Sequence, residues 1–499
     1  MLGDVMSNNC ESFPQDEAPR GLGITPGRLF SWENAVLLGA VICLALSLLV
    51  YQYIQGTRLL ICYVGLPISI VVFCILLKQR RLLRFHDMRL LLVLLAWILA
   101  CCILNINRAS VREDLPYVAP IFTVALLCYP LAHIVPKERR VKTFNLLAWL
   151  WVIPVVCTAI VAIALALSGT VLYRADGAPM GLAGKRLWFI CDPNMYGILC
   201  CTALSLVFYL QLAKRRSFVR ALLTLMAICL FAALSLTDCR SAKTALLIVA
   251  FFFAALPIWQ LLHKKKKAVR LLAGGLGGAV FCIALAFGYR GVSAGMNRLI
   301  AYRDGYVKVA APTESVQDDA GVMAAEDPET VAARGFQDMR NVDMRLGIWA
   351  YALGRVPDEW DVLLRGATPA LVRSLFFDPE LGFTHLHNAY LDVLLGYGIP
   401  GLIVLAVFIL SLFTSLCRLL FSPRSDLPLQ LRLLTGLVLA ILAINFVESM
   451  LVTKNFISEL DVWLMLIGGF AAAFSRDYAA VPTTGVTVVT HANNSKREY

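Results

Sequence analysis

The chain of 499 residues is unusually apolar, which excludes an ordinary soluble domain. Apolar residues make up 59% of it and charged residues 16%, against about 45–50% and 25% in a typical soluble domain. The formal net charge is +12, but the basic residues are dispersed in short segments between apolar runs. We therefore expect them to face anionic lipid headgroups, and we expect a lipid bilayer and no nucleic acid among the partners.

The apolar residues occur in runs that are long enough to cross a membrane. Since about 20 residues of α-helix span the hydrocarbon core, the sequence predicts an all-α polytopic bundle of about twelve transmembrane helices with one large extracytoplasmic loop. The predicted spans lie near residues 35–53, 59–77, 89–105, 116–134, 144–168, 195–213, 221–237, 242–262, 271–289, 388–415, 432–452 and 461–475.

The distribution of basic residues predicts the orientation, because Lys and Arg accumulate in cytoplasmic loops. Every second connection is basic, most clearly at residues 78–84, 137–142, 214–220 and 264–270. With an even number of spans, both termini are expected in the cytoplasm. The predicted parts are a cytoplasmic tail (1–34), transmembrane helices one to nine (35–289), the large outer loop (290–386), helices ten to twelve (387–475) and a second cytoplasmic tail (476–499).

Two parts of the large loop differ in composition. Residues 310–338 are rich in Ala, Asp and Glu, so we expect a mobile acidic stretch there. Residues 343–355 instead place Leu346, Trp349 and Leu353 on one helical stripe, which indicates a short amphipathic helix. We expect this helix to lie on the outer face of the membrane.

Three ionisable residues near the predicted outer ends of the helices are candidates for chemistry. Charged groups near membrane depth are costly, so those that do not set the topology are functional candidates. Arg240 lies at the turn between the seventh and eighth spans, Arg345 opens the amphipathic helix, and His387 lies where the loop re-enters the membrane. The alternative for each is a structural role, as an interfacial charge or a helix cap.

A characteristic spacing begins at His387. His387 and Asn388 are followed after nine residues by Gly-Ile-Pro-Gly, from Gly398 to Gly401, and this resembles the His-Asn-x9-Gly-x-x-Gly signature of the O-antigen ligase and O-antigen polymerase superfamily. By motif the resemblance covers about residues 185–415. Asn388 is then a possible supporting residue, and close helix packing is the expected role of the two glycines.

Other elements of the family pattern have counterparts here. The family carries an Arg before the eighth span and a second Arg in the large loop, to which Arg240 and Arg345 are similar. It also carries an Asn-Pro-Asn-like element at the start of the sixth span. Residues 192–194, with the sequence Asp-Pro-Asn and preceded by Arg186, resemble it but depart at the first position. Arg186 and Asn194 are therefore possible supporting residues.

The resemblance implies a membrane glycosyltransferase. It would move a glycan from polyprenyl (undecaprenyl) pyrophosphate to an acceptor hydroxyl, of lipid A core or a similar glycan or glycolipid, at the outer face of the bacterial inner membrane. It implies no metal and no other cofactor. A polysaccharide polymerase of the same superfamily, for O-antigen or capsule, would share the motif. An alternative from another class is a transporter or flippase for lipid-linked glycans.

The candidate residues suit this chemistry. Guanidinium groups bind phosphate oxygens in pairs, so Arg240 and Arg345 are the expected ligands of the donor pyrophosphate. His387 is the expected catalytic base, since an imidazole of ordinary pKa can accept the proton of an attacking hydroxyl at neutral pH. Backside attack by that hydroxyl would invert the anomeric carbon.

The predicted topology can be tested with introduced cysteines. A cysteine placed in the outer loop, at residues 290–386, should react with an impermeant maleimide added to intact cells, whereas one placed at Lys264 to Lys267 should react only after lysis. The protein without an introduced site is the control, because the chain has 15 cysteines of its own. Labelling of the lysine tract in intact cells would show that the orientation is wrong.

Overall fold

The structure is a computed structural model in which helices account for most of the described chain. It describes residues 31–49, 59–80, 82–108, 111–174, 178–183, 186–214, 216–262, 264–310, 345–357, 359–376, 386–422, 427–448, 451 and 456–479. The predicted acidic stretch, apart from its first residue, and most of both predicted tails lie outside the described residues.

The described chain contains fifteen α-helices. They are α1 (Trp32–Leu49), α2 (Leu66–Arg80), α3 (His86–Leu104), α4 (Val111–Ile134), α5 (Lys137–Ser168), α6 (Pro193–Ala213), α7 (Ser217–Thr237), α8 (Arg240–Leu261), α9 (Lys267–Ala310), α10 (residues 345–354), α11 (Asp361–Arg365), α12 (Pro369–Phe376), α13 (Ala389–Leu420), α14 (Leu429–Val447) and α15 (Glu459–Ala479). A π-helical turn, Ile61–Gly65, precedes α2, and a 3-10 turn, Leu82–Arg84, precedes α3.

Three short strands connect α5 to α6. They are β1 (Leu172–Tyr173), β2 (Pro179–Ala183) and β3 (Arg186–Trp188), paired antiparallel in the order β1-β2-β3. This small sheet sits against the end of the bundle, where β3 packs on α6 and α7. It was not predicted from the sequence, and it fixes the position of Arg186 relative to both helices.

Ten of the described helices are long and apolar enough to cross a membrane. They are α2 to α9, α13 and α14, and they confirm the prediction of a polytopic α-helical membrane protein. Of the two remaining predicted spans, α1 has only a short apolar helix, Trp32–Leu48. The other, α15, carries Glu459 and Asp461 in its first turn and Arg476 in its last. The predicted total of twelve therefore stays a prediction.

The helix α9 is much longer than the span predicted at 271–289. It runs for 44 residues, or about 66 Å at 1.5 Å per residue, roughly twice the thickness of a hydrocarbon core. The first part of the predicted outer loop, residues 290–310, therefore continues the helix. The change from apolar to polar composition marks the end of the apolar span, but it does not end the helix.

The large predicted loop contributes a small apolar core of its own. Buried side chains of α10 to α12 and the start of α13 form it: Ile348, Ala352, Val356, Val362, Ala367, Val372, Phe376, Leu386 and Leu395. Trp349 of the predicted stripe packs against this core. Leu346 and Leu353 are 51% and 42% exposed instead. The buried face of α10 is thus rotated from the predicted stripe towards Ile348 and Ala352.

Close packing at glycines brings α4 and α15 together in the middle of the bundle. A Cβ added at Gly469 would lie 2.4 Å from the carbonyl oxygen of Tyr129, well inside van der Waals contact. At the neighbouring Gly468, an added Cβ would lie 3.0 Å from the methyl groups of Leu412 in α13 and 3.4 Å from the ring of Tyr129. Small residues allow this approach, which drives helix association where no hydrophobic force acts between helices.

Replacing Gly469 should therefore separate these helices. We expect Gly469→Ala to lower the free energy of unfolding by about 1–3 kcal/mol, the usual effect of overpacking. Gly275→Ala in α9 is the matched control, because a Cβ there would meet nothing within 4 Å and alanine favours helix. Thermal unfolding of the detergent-purified proteins would measure both. An equal melting temperature for Gly469→Ala and the unchanged protein would contradict the packing argument.

Candidate functional site

The carboxylate of Glu448, directly after α14, joins two of the predicted site residues. Arg345 donates from Nη2 to its Oε1 at 3.2 Å, and Nδ1 of His387 lies 3.4 Å from its Oε2. The Glu448 side chain is only 6% exposed, whereas those of Arg345 and His387 are 30% exposed. The carboxylate is thus buried behind an arginine and a histidine that solvent or a substrate can reach.

The backbone around His387 holds the imidazole in this position. His387 has a φ of 52°, in the left-handed region that a residue with a Cβ seldom adopts. The next residue, Asn388, caps α13 by accepting hydrogen bonds from the backbone N–H groups of its first turn. On the other side, the indole of Trp349 in α10 donates to the carbonyl of Leu386 at 2.7 Å. His387 is therefore fixed between α10 and the start of α13.

A second polar group forms at the start of α6. Arg186 donates from Nη2 to Oδ1 of Asn194 at 2.6 Å and from Nε to the carbonyl of Thr237 at 2.8 Å. Asp192 is the N-cap of α6, and its Oδ1 accepts from the backbone N–H groups of Asn194 and Met195 at 2.9 and 3.2 Å. Arg186 and Asn194 thus meet, and they connect β3, α6 and α7.

Electrostatic effects show that the two groups are neighbours. Burial raises the pKa of Asp192, its backbone hydrogen bonds lower it, and the charge of Glu448 raises it further while Arg186 lowers it. Burial likewise raises the pKa of the Cys239 thiol. The charge of Glu448 raises this pKa as well, and the charge of Arg186 lowers it. Glu448 and Arg186 are therefore both close enough to Asp192 and Cys239 to affect their pKa values.

Arg240 lies at the edge of this site. It is the first residue of α8, its side chain is exposed, and it follows the buried Cys239. The preceding turn is held tightly on α6, because a Cβ at Gly197 would lie 2.4 Å from the Cβ of Cys239. Arg186 binds the carbonyl of Thr237 in the same turn. Arg240 therefore projects from a firmly anchored part of the backbone.

The two glycines of the predicted spacing lie where other segments approach α13 closely. Gly398 has φ 69° and ψ −179°, a conformation that essentially only glycine adopts. A Cβ on it would lie 2.8 Å from the backbone nitrogen of Gly366. At Gly401, a Cβ would lie 3.0 Å from Nε1 of Trp97. The kink of α13 is at Gly398, two residues before Pro400, and it lets the α11–α12 connection pack against the helix.

Glu448, the residue at the centre of the site, was not among the site residues predicted from the sequence. It lies near the end of the predicted span 432–452, in an otherwise apolar segment. The argument that charges at membrane depth are functional by default applies to Glu448 as well as to Arg240 and His387. Its position in the apolar run was therefore a usable signal. Among the described residues, no group of three or more His, Cys, Asp and Glu has the arrangement of a metal site.

A comparison with family models and a comparison with curated proteins each gave no match. The class of the protein, a polytopic helical membrane protein, therefore rests on its fold. Its function has to be argued from the polar site itself, which combines a buried carboxylate, a histidine and several arginines at one end of an apolar bundle.

Proposed function

We propose that the chain is a membrane glycosyltransferase that moves a glycan from polyprenyl pyrophosphate to an acceptor hydroxyl, in the manner of an O-antigen ligase. The observation that supports this best is the contact of both Arg345 and His387 with the buried carboxylate of Glu448. A base and a phosphate ligand are the two groups that such a transfer needs. The spacing from His387 to Gly401 is a further, independent support.

His387 acts in this proposal as the base, and Glu448 positions it. A carboxylate next to Nδ1 favours the tautomer that carries its proton on Nδ1, which leaves Nε2 free to accept a proton. As the acceptor hydroxyl attacks the anomeric carbon, its proton passes to Nε2 and a new glycosidic C–O bond forms. The bond from the anomeric carbon to the pyrophosphate oxygen breaks on the opposite face. The configuration at that carbon is inverted.

The arginines stabilise the leaving group. Polyprenyl pyrophosphate departs with the electron pair of the broken bond, so negative charge grows on its oxygens, and fixed cations next to them lower the barrier. Arg240 is exposed at the N-terminus of α8, where the helix dipole adds positive potential. Arg345 has five N–H donors, and donors not used on Glu448 can bind phosphate. Arg186, held by Asn194 and Thr237, has a positioning role.

The bilayer has a defined role in the proposal as well. The donor carries a long polyprenyl chain, which stays in the hydrocarbon while its pyrophosphate lies at the membrane surface. An enzyme for such a donor has to place its polar site at the end of an apolar bundle rather than in its middle. The Glu448 site, at the start of α13 and the end of α14, has this location. The outer face of a bacterial inner membrane is the proposed setting.

A polysaccharide polymerase is the second candidate, since it would use the same donor and the same residues. The two differ in the acceptor, which is a lipid A core sugar for a ligase and a second carrier-linked glycan for a polymerase. A flippase would move the donor without cleaving it. Product analysis with each acceptor, and release of polyprenyl pyrophosphate, therefore separates the three.

The role of His387 gives a direct test. We expect His387→Ala to lower turnover by roughly a hundredfold to ten-thousandfold, the usual contribution of a positioned base, with little change in donor affinity. Glu448→Gln should lower turnover less, because it removes the orienting charge but keeps the imidazole. The assay uses purified protein in lipid with a polyprenyl-pyrophosphate glycan, and it measures product formation and donor binding separately.

His385→Ala is the matched control for this test and should be nearly silent. Full turnover in His387→Ala would remove the residue from the chemistry. Lost donor binding would assign His387 to the pyrophosphate instead. A pH profile of kcat that Glu448→Gln shifts would distinguish a positioning role from a purely structural one, which would leave the profile unchanged.

The role of Arg240 depends on its bidentate geometry. Arg240→Ala should abolish transfer at an unchanged protein level, and Arg240→Lys should restore only part of it, because an ammonium group cannot replace the planar fork. Arg139→Ala is a control with an exposed arginine after the end of α4, on the side of the membrane predicted to be cytoplasmic. If the lysine variant had full activity, a positive charge alone would suffice at this position.

A further inference from the structure

A polar cavity lies at the opposite end of the bundle from Glu448. It opens between the 3-10 turn before α3, the start of α3, the last turns of α13 and the end of α15, and its volume is about 490 Å³. Arg418 in its wall is in the last turn of α13, whose first residue follows the Asn388 cap. From the kink at Gly398 to Arg418 the helix is about 30 Å long. The cavity therefore belongs to the side that the basic connections predict to be cytoplasmic.

The cavity carries an excess of positive charge. Three arginines line it, Arg84, Arg418 and Arg476, against one acidic residue, Asp87. Arg476 is paired with that carboxylate, since its Nη1 lies 2.9 Å from Oδ1 of Asp87. Within the described part of the chain, Arg84 and Arg418 form no ion pair. Two cationic side chains thus line the cavity, and its acidic residue, Asp87, is paired with Arg476 instead.

The wall behind the cavity is rigid and its acidic residue is satisfied. The hydroxyl of Tyr129 donates to Oδ2 of Asp87 at 3.0 Å, and Nε2 of the buried His133 lies 3.0 Å from the same oxygen. The guanidinium of Arg476 also lies 4.3 Å from the ring centroid of Phe85. Because its carboxylate is engaged on three sides, Asp87 does not neutralise Arg84 and Arg418, which have no ion pair among the described residues.

The remaining lining divides into a polar and an apolar part. Ser411 and Ser415 of α13 line the polar part. Val407 and Leu410 of α13 line the other part. A molecule with one anionic end and one apolar end would match both parts.

We propose that this cavity binds the phosphate of an anionic lipid headgroup. Arg84 and Arg418 would pair with the phosphate oxygens, and the acyl chain would lie against Val407 and Leu410. The cytoplasmic leaflet of a membrane is rich in such lipids. The same phosphate chemistry could come from free inorganic phosphate, so the test includes both. The proposal is independent of the glycosyltransferase assignment.

The experiment measures the thermal unfolding of the full-length protein in neutral detergent. Phosphatidylglycerol, phosphatidylcholine and inorganic phosphate are added separately at matched ionic strength, since a ligand that binds the native state raises the melting temperature. We expect phosphatidylglycerol to raise it more than either other addition. The double variant Arg84→Gln, Arg418→Gln should need at least about tenfold more phosphatidylglycerol for the same shift, because two charge-assisted hydrogen-bond donors are lost.

Arg139→Gln is the matched control, because it removes an exposed arginine near the same end of the bundle but outside the cavity. It should keep the shift of the unchanged protein. Equal shifts with phosphatidylglycerol and phosphatidylcholine would overturn the proposal, and so would an equal loss in Arg139→Gln, which would indicate general surface charge. An equal shift with inorganic phosphate would overturn the assignment to a lipid. Both arginines are exposed, so the double variant should fold, and its melting temperature without lipid checks this.

Discussion

The buried carboxylate of Glu448 is the constraint on which the rest of the site depends. A carboxylate removed from water costs several kcal/mol unless charges or hydrogen bonds replace its hydration. Glu448, with 6% of its side chain exposed, has Arg345 and His387 on its two oxygens. To supply these partners, α10, the start of α13 and the end of α14 have to meet. The pairing of Glu448 thus adds to the apolar core and to the Trp349–Leu386 hydrogen bond in holding these helices together.

Each end of the bundle has a buried carboxylate that is paired with an arginine and a histidine. At one end, Glu448 is paired with an arginine and a histidine whose side chains remain 30% exposed. At the other end, Asp87 is paired with Arg476 and His133. This pairing connects α3, α4 and α15. Arg84 and Arg418 line the cavity next to it.

Glycines decide how closely the segments of the chain approach one another. Gly398 has a backbone conformation that other residues do not readily adopt, and it touches Gly366 of the α11–α12 connection. Gly469 lets α15 lie against the backbone of α4. Gly398 thus allows the apolar core of α10 to α12 to pack next to His387, and Gly469 allows α4 and α15 to pack together. The spacing of glycines in the sequence therefore has a steric meaning.

The sequence by itself determined the class of the protein and ten of the twelve predicted spans, because a helix in a bilayer satisfies its backbone hydrogen bonds within one segment and hydropathy reports this locally. The spacing of His387, Asn388 and Gly398 was likewise visible in the sequence. Only the tertiary structure decided that Arg345 and Glu448, which are 103 positions apart, share a hydrogen bond, and that the buried face of α10 differs from its most apolar stripe. Both depend on which surfaces of distant helices pack together, and no local pattern of residues encodes that choice.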